Sequence, residues 1–223
     1  ILENVLITSR DEDIFQLTSF FKKLKASKKK REDYMGSSPA SLLRFIIEQL
    51  LESCFPKLDH ISKKLDRIEE EIFAGHEKEM VVELSIVKRD ILNFRRTMKP
   101  QRSVLESLIQ KNFRFVGNEE KPYFQDLIGT NIRVWNALES AKETTESLEE
   151  TNNSLLSNKL NLTMKVLTIF NAIFLPITVY SNLMSMNTPV PFEHNISGFW
   201  LHSAIMVLIS ILTIVLFKKK KWL

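Results

Sequence analysis

The chain has 223 residues, with 31 Lys and Arg against 27 Asp and Glu, and its net charge of +4 is too small and too unevenly placed to mark a nucleic-acid binder. Only 5 glycines and 7 prolines stand among abundant Lys, Glu, Leu, Ile and Ser, which favours long helices over a β-rich fold. The single cysteine, Cys54, excludes an internal disulfide and a cysteine-built metal site.

The chain opens on Ile1, not Met, inside a run (1–8, ILENVLIT) that reads as an edge or final strand. The expectation is a fragment lacking an N-terminal portion. Residues 11–24 read as an amphipathic helix with Ile14, Leu17, Phe21 and Leu24 on one face. The basic run from Lys22 to Arg31 lacks interleaved aromatics and reads as a solvated helix end. Ser38-Pro39 is an N-cap followed by proline at the first helical position. The helix it opens is expected to run to about Ala74, with a possible kink at Pro56. Leu58, Ile61, Leu65, Ile68 and Ile72 form its apolar stripe, and Gly75 is its stop. Leu84, Val87, Ile91, Phe94 and Met98 repeat the spacing, which predicts an antiparallel helical hairpin whose second arm Pro100 bends. Gly117-Asn118 marks a break.

From Glu119 the pattern is helical with no strong stop, Gly129 being only a weak point. Unbroken to Asn182, it is a helix of about 64 residues, roughly 95 Å at 1.5 Å per residue. Glu139, Glu143, Glu146, Glu149 and Glu150 lie along it, ordinarily as a solvated face. Around a symmetry axis they would also concentrate cations.

Residues 199–217, FWLHSAIMVLISILTIVLF, carry no formal charge and are long enough to cross a bilayer. They end in Lys218, Lys219, Lys220 and Lys221 followed by Trp222, a cytoplasmic-surface pattern. A second stretch, 162–183, is less apolar, yet no Lys or Arg occurs between residues 166 and 217. Lysines on both outer flanks place both flanks in the cytoplasm and the 184–198 connection outside. The spans lie at the C-terminal end, which excludes a signal peptide.

At helical spacing, one face of the first span carries Asn161, Met164, Thr168, Asn171, Leu175, Thr178 and Asn182. Five of these seven are neutral and polar. The opposing positions, Val166, Ile169, Ile173, Ile177 and Tyr180, are mostly apolar. Polar groups in hydrocarbon face a bundle interior or a water-filled path, although gluing helices together is the alternative use. Uncharged amide and hydroxyl oxygens suit a cation that keeps its water, as Mg²⁺ does. Met164 and Leu175 would narrow the same path with apolar rings, a way to gate by dewetting. Pro176 leaves the carbonyl of Ala172 without its usual donor. One helix per chain cannot enclose a pore, so this reading requires a cyclic homo-oligomer.

The end of the chain, MKVLTIFNAIFLPITVYSNLMSMN…GFW…FKKKKWL, resembles the CorA magnesium transporters. That family ends in two transmembrane helices, a Gly-Met-Asn motif after the first, and a basic Trp-containing tail. KRDILNFRRTMKPQRSVLESL (88–108) and PYFQDL (122–127) resemble the family's cytoplasmic helices, so the likeness runs from about residue 31 onward. The resemblance implies a mainly α chain, a long helical stalk running into a two-helix transmembrane hairpin, with the remnant of an N-terminal α/β cytoplasmic domain. It further implies a funnel-shaped homopentamer whose first span lines the pore. Positions matching Asn161, Met164, Leu167, Leu175 and Thr178 would form polar and hydrophobic rings. Ser185, Met186 and Asn187 would form the filter, with Asn187 meeting the hydrated ion, and Lys218 to Lys221 a basic ring. Asp126 would join a regulatory Mg²⁺ site between subunits, its partner carboxylate lying in the absent part; alone it is an ordinary helix-surface acid. The family motif is typically Tyr-Gly-Met-Asn, whereas this chain has Met184-Ser185-Met186-Asn187. Ser185 would strain a backbone at positive φ, or the turn differs. Asn182 stands where glycine is common and Asn171 where a small apolar residue is common, which motivates a more hydrophilic pore.

The expected division is 1–37 domain remnant, 38–118 helical hairpin, 119–160 stalk, 161–183 pore helix, 184–198 outer loop, 199–217 second span and 218–223 basic tail. The expected function is a divalent-cation channel, for Mg²⁺ with Co²⁺ or Ni²⁺ as further ions, mediating influx and closed by high intracellular Mg²⁺. Its partners are copies of itself, membrane lipid and divalent cations. No organic cofactor, nucleic acid or enzymatic activity is expected, because His60, His76, His194 and His202 share no catalytic or ligand spacing. Location is the inner or plasma membrane with both termini cytoplasmic. The alternatives are a proton-linked zinc transporter of the same superfamily and a non-transporting membrane scaffold.

Overall fold

The computed structural model describes residues 1, 4–35, 38–111, 113, 116–186 and 196–220, the side chain of Ile196 excepted. Its elements are α1 (Phe15–Ala26), α2 (Lys28–Met35), α3 (Pro39–Glu52), α4 (Cys54–Phe73), α5 (Glu77–Gln110), α6 (Lys121–Met184) and α7 (Ile196–Lys219). The chain divides into two compact units, Ile1–Asn153 and Ser154–Leu223.

In the first unit, no strand occurs among the described residues, and residues 4–8 are irregular instead of extended in a ladder. A strand is held by hydrogen bonds to a neighbouring strand, and the described residues supply none. Leu6 packs with Ile14, Tyr34, Leu42, Phe45 and Leu50 against the buried Leu17, Phe20, Leu24 and Ile46. The buried aromatic of α1 is therefore Phe20; Phe21, expected inside, is 41% exposed. Tyr34 meets the rings of Phe20 and Phe45 edge-on, with centroids 5.6 and 4.5 Å away. This edge-to-face geometry is favoured by aromatic quadrupoles. The basic run also divides: α1 stops at Ser27, and α2 continues with no buried residue.

Ser38 caps α3 as expected, its side chain accepting from the Ser41 N–H at 3.0 Å. The helix expected to reach Ala74 breaks at Ser53. Pro56 has no N–H and crowds the preceding turn, so it is tolerated at the start of a helix and not in the interior of one. It stands third in α4. Pro100, by contrast, lies inside an α5 that continues to Gln110. Gly75 ends the α4 region at φ 101°. Its N–H donates to Ile72 O at 3.2 Å and that of His76 to Glu71 O at 3.1 Å, the paired bonds of a Schellman turn. Gly75→Ala is expected to cost about 1–2 kcal/mol, since a Cβ is strained at positive φ; the midpoint of thermal unfolding measures it.

The main core joins α4, α5 and the first part of α6. Leu65, Ile68 and Ile72, then Leu84, Val87 and Ile91, then Phe124, Val134 and Leu138 are all buried. Two buried amides register α6 antiparallel to α5. Asn131 Nδ2 donates to Met98 O at 3.4 Å, and Asn152 Nδ2 to Glu77 O at 2.9 Å. Ion pairs follow the same order: Arg95 with Glu139 and Lys88 with Glu149, both at 2.5 Å. The hydrogen bond to Glu149 raises the Lys88 pKa above its ordinary value. The Lys88 side of that contribution is complete at neutral pH and is lost as pH rises through the raised value.

Candidate functional site

In the second unit, α7 and the end of α6 are each long and apolar enough to cross a membrane, with mean hydropathy of 2.3 and 1.8 over their best windows. The side of α6 carrying Ile169, Ile173, Ile177 and Tyr180 is half-buried. Tyr180 shows what covers it, for its hydroxyl lies 2.7 Å from His202 Nδ1 on α7. This side was the apolar face in the sequence pattern.

The polar stripe lies on the other side. Asn161, Met164, Leu167, Thr168, Asn171, Leu175, Thr178 and Asn182 are all exposed. No other described element covers them. The hydroxyls on this stripe are not free rotors. Thr168 Oγ1 donates to Met164 O at 2.7 Å and Thr178 Oγ1 to Phe174 O at 2.9 Å. Each hydrogen is committed to the helix, so each oxygen faces outward as an acceptor. A cation that keeps its hydration shell presents water hydrogens outward, and acceptors suit them. Neither Asn171 nor Asn182 has a side-chain partner among the described residues.

Ser185 lies at the end of α6. Its N–H reaches Ser181 O at 3.1 Å and Asn182 O at 3.2 Å. Its Oγ donates to Ser181 O at 2.9 Å. Ser185 thus closes the last turn of α6, with no flexible glycine there. Met186 follows, 56% exposed. Asn187, Glu193, His194 and Lys221 lie outside the described residues. Lys218, Lys219 and Lys220 are exposed at the end of α7.

Asp126 is exposed on α6 in the first unit, lining an open cleft with Arg44, Glu48, Glu52 and Arg133. Among the described residues, no group of three or more His, Cys, Asp or Glu is arranged to hold a metal. One chain's described residues therefore do not build a donor set around Asp126. Of the α6 glutamates, Glu139, Glu146 and Glu149 are ion-paired within the chain to Arg95, Lys142 and Lys88. Those charges are offset locally.

Two arrangements had no signal in the sequence pattern. Arg44 stacks on Phe45 and Tyr123, 3.8 and 4.3 Å from the ring centroids, with Glu120 3.7 Å away. The Tyr180–His202 pair is the other. Both join residues far apart in sequence, which periodicity does not register.

The family described as "CorA-like Mg2+ transporter protein" matches residues 1–219. The chain is similar to the Cobalt/magnesium transport protein CorA of Thermotoga maritima, 34% identical over 197 residues, 88% of this chain and 54% of that protein. Its likeness to the protein of the same name from Methanocaldococcus jannaschii is 25% over 224 residues, 100% of this chain and 70% of that one. A more distant relative is the Zinc transport protein ZntB of Yersinia pseudotuberculosis, 21% identical over 142 residues, 63% of this chain and 43% of that protein. Among solved structures, the complete structure of the CorA magnesium transporter from Methanocaldococcus jannaschii superposes with a TM-score of 0.82 at 23% identity. It covers 95% of this chain and 67% of that one, a likeness of fold. The chain spans about half the length of the Thermotoga maritima relative.

Proposed function

The chain belongs to the CorA-like Mg2+ transporter family, and from that membership we propose that it forms, with copies of itself, a membrane channel for divalent cations. The family is one of ion transporters and not of enzymes, and relatives named as cobalt/magnesium transport proteins support metal-ion transport. The finer reading is a homopentameric Mg²⁺ channel, with Co²⁺ or Ni²⁺ as further ions. Influx is driven by the inside-negative potential, about 2.3 kcal/mol per charge per 100 mV.

The observation that carries this reading is the exposed polar stripe of α6, turned away from the side that meets α7. In hydrocarbon, unpaired amides such as Asn171 and Asn182 cost several kcal/mol each. Copies of the chain arranged around a water-filled path remove that cost. Lysines at both outer flanks then put both termini in the cytoplasm. Asn187 supplies the filter asparagine, Ser185 closing the turn before it. Asp126 contributes to an inhibitory Mg²⁺ site completed by residues beyond one chain's described part.

The test is Mg²⁺ uptake by proteoliposomes holding the full chain, with and without competing Co²⁺, Ni²⁺ and Zn²⁺. Potential-driven uptake is expected, and Asn187→Ala is expected to change it at least tenfold or to abolish competition among the ions. No Mg²⁺ uptake at any potential defeats the channel. The zinc reading has a clear signature of its own, Zn²⁺ uptake that follows a proton gradient. Against it, the polar stripe from Asn161 to Asn182 carries no titratable group, Lys165 being the nearby exception.

A further inference from the structure

His202 is the one histidine among the described residues of the second unit, and it lies against the pore helix. Its Nδ1 is 2.7 Å from the Tyr180 hydroxyl, and the two rings are tilted by 50° with centroids 6.0 Å apart. Both side chains are half-buried. No other side-chain hydrogen bond among the described residues joins α6 to α7 in an apolar pair of helices. A phenol can donate its O–H to an unprotonated imidazole nitrogen or accept from a protonated one, and the latch takes the first arrangement. In that arrangement the neutral ring carries its own hydrogen on Nε2.

We propose that the Tyr180–His202 pair is a titratable positioning latch, which holds the outer end of α6 in its conducting arrangement while His202 is neutral. This rests on the channel reading above. Histidine is the side chain suited to change charge between pH 5 and 8. Proton uptake turns Nδ1 from acceptor into donor. The Tyr180 hydroxyl must then turn and accept instead of donating, which releases its own hydrogen and reverses the bond across the two helices. The change falls on the turn of α6 that carries Thr178 and Asn182, five residues before Ser185.

Among the described residues of this unit, no acidic side chain offsets the new charge. The described residues of this unit hold no Asp or Glu on α6 or α7. The charged or titratable groups they do hold are Lys159, Lys165 and Tyr180 on α6, and Lys218 and Lys219 on α7 with Lys220 just beyond it. Of these only Tyr180 faces His202. Lys165 is fifteen residues down the helix, about 22 Å along its axis. Repeated around a ring of copies, a positive charge at His202 also repels a divalent cation on the far side of α6. Acid on the outer side is thus expected to close or slow the path.

The experiment measures Mg²⁺ uptake by full-chain proteoliposomes with only the outer pH varied between 8 and 5.5. Wild type is expected to lose at least threefold across that range, and His202→Gln, which cannot take up a proton, to stay flat. A His202→Gln profile matching wild type overturns the latch and assigns the titration elsewhere, the 187–195 connection with Glu193 and His194 first. A second arm needs no transport. In lipid bilayers, ¹⁵N NMR of the His202 ring is expected to show a hydrogen-bonded Nδ1 acceptor that shifts in Tyr180→Phe, a change that preserves ring packing. An unchanged Nδ1 signal in Tyr180→Phe overturns the latch even if uptake depends on pH. Wild type that carries no Mg²⁺ at any pH defeats the channel reading, and the NMR arm then decides the pair by itself.

Discussion

Asn171→Leu is expected to lower Mg²⁺ uptake at least tenfold, with the folded assembly intact. Asn171 is exposed midway along the polar face of α6, four residues from Leu167 and four from Leu175, or about 6 Å each way along the helix. In the proposed pore those leucines form apolar collars, and the amide is the polar group between them that holds water. Leucine at 171 would join the collars into one dry stretch of about 12 Å, and narrow apolar stretches gate by expelling water. A tenfold loss is about 1.4 kcal/mol of barrier, small beside the cost of stripping a divalent cation. Asn171→Ser, which keeps a hydrogen-bonding group, is expected to retain uptake within about threefold, a difference of well under 1 kcal/mol. Equal uptake in wild type and Asn171→Ala would remove the amide from the conduction path.

Phe124→Ala is expected to destabilise the first unit by about 3–5 kcal/mol, the range for emptying a large aromatic site in a packed core. Phe124 is fully buried, at 0% exposure, three residues into α6. Its neighbour Tyr123 is exposed and holds Arg44 against its ring, so the two aromatics have separate duties. Phe73, 67% exposed, is the control: Phe73→Ala should change stability by no more than about 0.5 kcal/mol. Thermal unfolding compares the two. A Phe124→Ala loss no larger than that of Phe73→Ala would show that α6 is not anchored at this end.

Helices with strict apolar spacing were legible before any coordinates, because the spacing states which side is inside. The α4 stripe through Leu65, Ile68 and Ile72 and the α5 stripe through Leu84, Val87 and Ile91 are buried as read. On the span after Asn161, Ile169, Ile173, Ile177 and Tyr180 of the face read as apolar are half-buried, whereas Val166 of the same face is 66% exposed. Breaks were harder. Pro56 and Pro100 carry the same steric conflict, yet one stands at a helix start and the other inside a continuous helix. No local pattern separates the two cases. The inner face of α6 was partly hidden because Asn131, Thr145 and Asn152 occupy core positions, which a hydropathy pattern counts as surface. Their bonds to backbone carbonyls account for the burial. Residues 4–8 departed from the expected strand for a different reason, since β-propensity without a partner does not make a sheet. Arg44 and His202 were illegible because their partners are 79 and 22 positions away.

The threonines of the exposed α6 face have one more consequence. A hydroxyl passes a proton along a chain of waters by receiving one hydrogen and releasing another, which requires it to rotate. Thr168 and Thr178 have given their hydrogens to carbonyls of their own helix, at 2.7 and 2.9 Å. They can orient water but are poorly placed to relay protons. In the proposed pore, a wall of this kind would admit an ion together with its water without adding a hydroxyl relay for protons. The same Thr bonds that shape an acceptor surface would there leave proton transfer to water alone.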